Sequence, residues 1–316
     1  MVLIAAFLVT LAVTPLAMGL ARRTGLLDRP GDLKIQTAPV PYLGGLGVAA
    51  GLAFAVVATK PVLLLPLGAA LMLGVVDDAR HVNPFVRLPF EVAVGVVTAA
   101  VLPTHLPGPV GVVAVTLVVV LAINGVNMID GLDGLASGVA LVSAIGFALA
   151  LDGDGRSVAL GLAGALAAFL LFNRPPAKVY LGDGGAYLLG ATLAVLLVLA
   201  WSPAQPVAVS IASLPLLACP VAELGLTVLR RRRSRRALST GDREHVYDQL
   251  VSRGWSRNRS VAAYVAVQAV LAALALTAVH LHPGLAAVTV GAAALVLLVM
   301  VHALGFVTPT HPETAA

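Results

Sequence analysis

The sequence predicts an all-α, polytopic integral membrane protein with about eleven transmembrane helices, its N-terminus outside and its C-terminus in the cytoplasm. Three observations predict it. Of 316 residues, 59% are apolar and only 11% charged, for a mean hydropathy of +0.98, which excludes an ordinary soluble domain. Apolar runs of spanning length recur from one end of the chain to the other. The basic residues sort by side: with the N-terminus outside, all but Lys60 and Arg156 of the 20 Lys and Arg fall in cytoplasmic loops, as the positive-inside rule requires. The net charge of +5 is thereby a matter of topology, and no nucleic-acid partner is expected.

The first run, residues 2–20, has no basic residue before it and is followed by Arg22 and Arg23. That order suits an uncleaved first span better than a cleaved signal peptide. Further runs lie at 43–59, 61–76, 86–102, 109–127, 134–151, 157–172, 185–201, 206–229, 260–280 and 284–306. Pro and Gly mark the turns between them, among them Pro61, Pro103, Gly153, Pro203 and Pro283. The Arg run from Arg230 to Arg236 reads as a membrane-surface and topology determinant. Lone Cys219 lies inside an apolar run, so neither a disulfide nor a thiolate metal site is available. Residues 1–306 read as one integral domain and 307–316 as a disordered tail.

Against this apolar background, five polar clusters stand out. They are Lys34 to Gly45; Asp77 with Asp78 at the end of the third run; Asn124 to Leu135, NGVNMIDGLDGL; Asn173 to Gly190 around Asp183; and Asp242 to Trp255 with His245. All five fall at odd-to-even junctions, which are the inner helix ends. Ionisable groups at membrane depth are costly and usually functional, and one shared site at the cytoplasmic interface accounts for this sorting. In the third cluster, Asn124, Asn127 and Gly131 share a helical stripe with Asp130 beside it. Asp133 sits among Gly131, Gly134 and Gly138, which would let backbone approach a bulky anionic ligand.

Asp77, Asp78, Asp130 and Asp183, with amide and carbonyl oxygens but no thiolate, suit a hard divalent cation such as Mg²⁺, with Mn²⁺ as the alternative ion. Mg²⁺ takes one or two carboxylates plus substrate phosphates, so the remaining carboxylates are free for catalysis. Lys34 and His245 can hold phosphate oxygens. The Gly182 to Gly185 turn offers backbone N–H groups and a helix N-terminus to an anion. Acid, metal and cation at the lip of a membrane suggest phosphoryl transfer between a soluble nucleotide and a lipid.

Taken together, NxxNxxDGLDGL, the Asp-Asp pair and the Gly-Asp-Gly motif resemble the polyprenyl-phosphate N-acetylhexosamine-1-phosphate transferase family, over about Asp28 to Trp255. The resemblance implies transfer of a sugar 1-phosphate, GlcNAc-1-phosphate first, from a UDP-sugar to polyprenyl phosphate, with UMP leaving. It implies a multi-pass protein of a bacterial plasma membrane with its site facing the cytoplasm, and is compatible with a homodimer. By that resemblance Asp183 is the metal ligand, and Asp77, Asp78, Asp130 and His245 are catalytic. Asp77 is the expected base of a single displacement, with Asp130 as nucleophile of a double displacement the alternative. Lys34, Asn124, Asn127, Asp133 and Asn173 are expected to bind substrate.

Several positions depart from the family pattern. Gln36 stands where a histidine usually follows the lysine, Ala186 where a serine closes Gly-Asp-x-Gly, and Arg87 and Glu91 where Lys and Gln are common. The usual His-x-His-His is reduced to His245, Val246, Tyr247 and Asp248. These changes bear on the sugar more than on the reaction class. Three readings compete with the GlcNAc transferase: the same reaction with another UDP-N-acetylhexosamine or UDP-MurNAc-pentapeptide, a catalytically silent relative that binds lipid phosphate, and a transporter. A transporter expects carboxylates near the bilayer midplane rather than at the inner helix ends.

Overall fold

A computed structural model of the chain describes residues 1–29, 38–234 and 244–308. Within them are thirteen α-helices and one two-stranded pairing. Helix α1 (Val2–Thr24) leads into strands β1 (Leu27–Asp28) and β2 (Val40–Pro41), antiparallel with Asp28 opposite Val40. Then come α2 (Gly44–Thr59), α3 (Leu64–Arg80, after a 3-10 turn at Pro61–Leu63), α4 (Pro84–Val101) and α5 (Gly108–Ile129). They are followed by α6 (Leu135–Ala150), α7 (Gly153–Asn173), α8 (Gly182–Ala200), α9 (Val207–Ala212) and α10 (Ala218–Arg233). The described chain closes with α11 (Val246–Ser252), α12 (Arg257–Ala278) and α13 (Pro283–Ala303).

Among the described residues, nine helical segments have the length and apolarity to cross a membrane, while α2 and α6, at 16 residues each, are apolar but shorter. These eleven segments coincide with the eleven apolar runs. Two boundaries differ from the sequence expectation. The run at 206–229 is broken into α9, a 3-10 turn at Leu214–Leu217 and α10, because Pro215 and Pro220 lack the N–H that a continuous helix needs. The run expected to begin at 185 starts as a helix at Gly182, which draws Asp183 into its first turn.

Helix α8 is the axis of the bundle, packed against α2, α3 and α5. Every residue of it is buried except Asp183. Small residues make that possible. A Cβ on Gly74 of α3 would collide with the Asp183 carbonyl, and one on Gly190 would meet Ile123 Cα of α5 at 2.5 Å, so these helices approach to backbone contact. The opposite extreme is α13, whose one buried residue is Ala286. Phe306 and Val307, at the expected start of the tail, are buried; residues 309–316 lie outside the described residues.

Candidate active site

The C-terminal ends of α3, α5 and α7, the N-terminal end of α8, and α11 meet around one open cavity of about 1750 Å³. Asp77, Asp78, Asn127, Asp130, Asp133 and Asp183 line it, as do Asn173 and His245. Five polar clusters were expected to share a site, and each contributes residues to it. From the first, Val40 and Tyr42 reach the cavity, whereas Lys34 lies outside the described residues. Asn124 does not line it.

Neighbouring Asp77 and Asp78 serve different ends. Asp78 accepts hydrogen bonds from the backbone N–H groups of Asp183 (2.9 Å) and Gly184 (3.0 Å). A carboxylate of α3 thus caps α8, matching negative charge to the positive end of the helix dipole. Two of the N–H groups that the sequence offered to a ligand anion, those of Asp183 and Gly184, are therefore used by Asp78. The cap also aims Asp183: its backbone is held while its side chain opens to the cavity. Gly182 is needed here, since its φ is +73° and a Cβ would meet Asp78 Oδ2 at 2.7 Å and the Tyr42 carbonyl at 2.9 Å. Gly182→Ala is expected to destabilise the protein by about 1–2 kcal/mol from the left-handed backbone alone. An unfolding midpoint in detergent equal to that of the parent protein would refute the close approach.

Asp77 is buried and fully engaged. Oδ1 accepts from Val82 N (2.7 Å), and Oδ2 accepts from Arg87 Nη1 (3.2 Å) and from the Tyr187 hydroxyl. The Arg87 guanidinium also donates to Tyr187 Oη (2.7 Å) and Asn124 Oδ1 (3.2 Å) and pairs with Glu91 (3.1 Å), one turn on along α4. Asn124 donates in turn to Glu91 and to the Val120 carbonyl. Arg87 and Glu91, two of the positions that differ from the family pattern, thus form one ion-pair network joining α3, α4, α5 and α8. Asn124, expected to bind substrate, is a member of that network instead.

Asn127, one turn beyond Asn124, faces the cavity. Among the described residues neither its side chain nor those of Asp130 and Asp183 have a hydrogen-bond or ion-pair partner. Burial, then the neighbouring carboxylates of Asp183, Asp78 and Asp133, holds the Asp130 carboxyl well above the ordinary carboxylate value. Asp133 accepts from Ala177 N (2.9 Å). Asn173 accepts from Gly134 N (3.1 Å) and Ser137 Oγ (2.7 Å) and donates to the Val179 carbonyl (3.0 Å). These two residues fasten the loop after α7 to the start of α6 and give that wall of the cavity its shape.

Phenols and cations complete the lining. Tyr42 donates to Asp28 (2.8 Å), and burial followed by that bond raises its pKa. Burial, then the charges of Asp133 and Asp28, pushes the Tyr180 phenol up to about 12. Both stay neutral donors at physiological pH. Arg29, Arg231 and Arg257 bring positive charge to the same walls, which His81 also lines. His245 precedes α11, stacks on Tyr247 with ring centroids 5.2 Å apart, and meets Glu223 of α10 through Nδ1 at 3.1 Å. The Tyr247 hydroxyl packs against Gly131 so closely that a Cβ there would collide with it. Sequence reasoning passed over Glu223, Tyr187 and Tyr264. Glu223 carried a signal, being the one acid in the run at 206–229; the tyrosines carried none.

Comparison with known proteins bears on this arrangement. The family model described as glycosyl transferase family 4 matches residues 61–201. The chain is 25% identical over 282 residues to a Bacillus subtilis protein named probable undecaprenyl-phosphate N-acetylglucosaminyl 1-phosphate transferase, covering 82% of this chain and 78% of that protein. It is 27% identical over 309 residues to the Escherichia coli undecaprenyl-phosphate alpha-N-acetylglucosaminyl 1-phosphate transferase, covering 89% and 84%. A Streptomyces coelicolor protein, named only as a glycosyltransferase, is 33% identical over 258 residues, 78% of this chain and 62% of its own length. The family match takes in Asp77, Asp78, Asp130, Asp133 and Asp183, and over those residues the chain is similar to glycosyl transferase family 4.

Proposed function

We propose that the protein transfers a sugar 1-phosphate, GlcNAc-1-phosphate first among the candidates, from a UDP-sugar to polyprenyl phosphate, releasing UMP. The reaction starts a lipid-linked envelope glycan at the cytoplasmic face of a bacterial plasma membrane. The observation that carries this reading is the cavity where apolar helices end, in which Asp130 and Asp183 stand without partners. A headgroup phosphate can reach such a place from the bilayer and a nucleotide can reach it from water. The names of the Bacillus and Escherichia relatives support the same substrates.

The donor set fits Mg²⁺, or Mn²⁺ in its place: the carboxylate of Asp183 and the amide oxygen of Asn127, both lining the cavity and both hard oxygens. Among the described residues no three His, Cys, Asp or Glu are gathered closely enough to hold an ion by themselves, so an ion here would take further ligands from substrate phosphates and water. When bound, it supplies neutralisation of the diphosphate charge. Asp183 is the proposed principal ligand. Arg29, Arg231, Arg257 and His245 hold phosphate oxygens, and Asn127 orients the donor. A phosphate oxygen of the lipid attacks the sugar-bearing phosphorus, the new P–O bond forms, and the P–O bond to UMP breaks. Asp130 takes the proton of a monoprotonated lipid phosphate. It is better placed for this than Asp77, whose oxygens both accept hydrogen bonds from protein groups.

The test is a transfer assay with purified protein, undecaprenyl phosphate and labelled UDP-sugars. Lipid-linked GlcNAc diphosphate is expected from UDP-GlcNAc with one UMP per transfer, lost in EDTA and restored by Mg²⁺. Product from another UDP-N-acetylhexosamine or UDP-MurNAc-pentapeptide alone would change the donor and keep the reaction. No product with any donor, from folded protein, would leave the silent lipid-phosphate-binding relative.

A further inference from the structure

Outside the cavity, Glu223 accepts four hydrogen bonds, and its position gives it a task. Glu223 is 2% exposed in the middle of α10. Oε1 accepts from His245 Nδ1 (3.1 Å), Val246 N (3.1 Å) and Arg230 Nη2 (3.2 Å), and Oε2 accepts from the Tyr264 hydroxyl (2.6 Å). Val246 N is the first amide of α11, so one carboxylate grips both the imidazole and the helix that follows it. Arg230, wholly buried, donates to the same oxygen, Oε1, and is itself fixed by Thr227 Oγ1 (3.0 Å) and the Phe306 carbonyl (3.2 Å).

We propose that Glu223 is a positioning residue, which keeps the proton of His245 on Nδ1 and so turns Nε2 to the cavity side of the ring. A carboxylate only accepts, so the ring nitrogen bonded to it must be the donor. Tyr264 and Arg230 donate to Glu223 from two sides and keep it from turning away, and the stack on Tyr247 limits rotation of the imidazole. In an apolar span the bland role for Glu223 is to pair with Arg230. That role explains neither the bond to His245 nor the bond to Val246 N, both of which lead to the cavity wall. The proposal rests on the reading above, in which His245 touches a substrate phosphate.

The test combines kinetics with ring spectroscopy on full-length protein in detergent. Glu223→Gln keeps the shape but can present an N–H to the ring, releasing the tautomer. Its kcat is expected to fall about 10–100-fold, the range typical of partners that orient a functional histidine, with KM for UDP-GlcNAc within about threefold. In a His245→Ala background the same substitution should cost nothing further. Ring-¹⁵N histidine spectra, with the His245 signal assigned by its loss in His245→Ala, are expected to show protonated Nδ1 in the parent protein and a mixture in Glu223→Gln. A parent His245 protonated on Nε2 overturns the proposal. So does an equal loss of kcat with or without His245, or an unchanged kcat. If Glu223→Gln fails to fold, Tyr264→Phe removes one donor to Glu223, and a smaller loss with the same dependence on His245 is expected. If the parent protein transfers nothing, the functional reading fails while the ring spectrum still decides the role of Glu223.

Discussion

Asp183→Asn is expected to lower transfer by about 10²–10³-fold, the scale for removing one charge-stabilising group from an active site, and to leave the fold as stable as before. The two halves have separate causes. Among the described residues the Asp183 side chain has no protein partner, while its backbone N–H is held by Asp78, and an Asn changes neither the volume nor that bond. Taking a negative charge from beside Asp78 and Asp130 relieves repulsion, so any shift in the unfolding midpoint should be upward. Lipid-linked product per minute and the midpoint in the same detergent check both. Transfer within tenfold of the parent protein would remove Asp183 from the centre of the reaction. A lower midpoint would mean that the side chain has a structural partner.

Arg87→Ala has the largest effect expected on stability, a loss of about 3–5 kcal/mol, the cost of leaving buried charges without their counter-ion. Asp77 and Glu91 are both buried and share this one guanidinium. Without it two carboxylates face each other, and Asn124 and Tyr187 each lose a donor. The signature is a change of sign. Glu91→Gln should destabilise the parent protein but stabilise Arg87→Ala, because in that background it removes an uncompensated charge. Titration with SDS in mixed micelles measures all four proteins. Additive losses would show that the network is not coupled.

Much of the fold was legible because hydropathy is itself the force that makes a spanning helix. The run at 134–151 became Leu135–Ala150, and 109–127 became Gly108–Ile129. Where backbone chemistry competed with hydropathy the reading slipped, at Pro215 and Pro220 and at the glycines before α8. For the site, the helix ends that would carry polar groups were legible; the direction in which each group points was not. Asn124 and Asn127 lie on one stripe three residues apart, yet one enters the Arg87 network and the other the cavity. Asp77 and Asp78 are adjacent, yet one binds Arg87 and the other caps α8. Such choices depend on how each helix is rotated against its neighbours, which a single sequence does not encode locally.

The burial of α8 also bears on how this sequence can drift. A residue whose neighbours are other side chains is constrained in size and shape, while one whose neighbour is lipid need only stay apolar. Residues 184–200, all buried, can accept few replacements. Those of α13, with Ala286 its one buried residue, can exchange Leu, Val, Ala and Met almost freely. Common ancestry should therefore fade faster in α13 than in α8. The family match, residues 61–201, takes in the whole of α8 and none of α13.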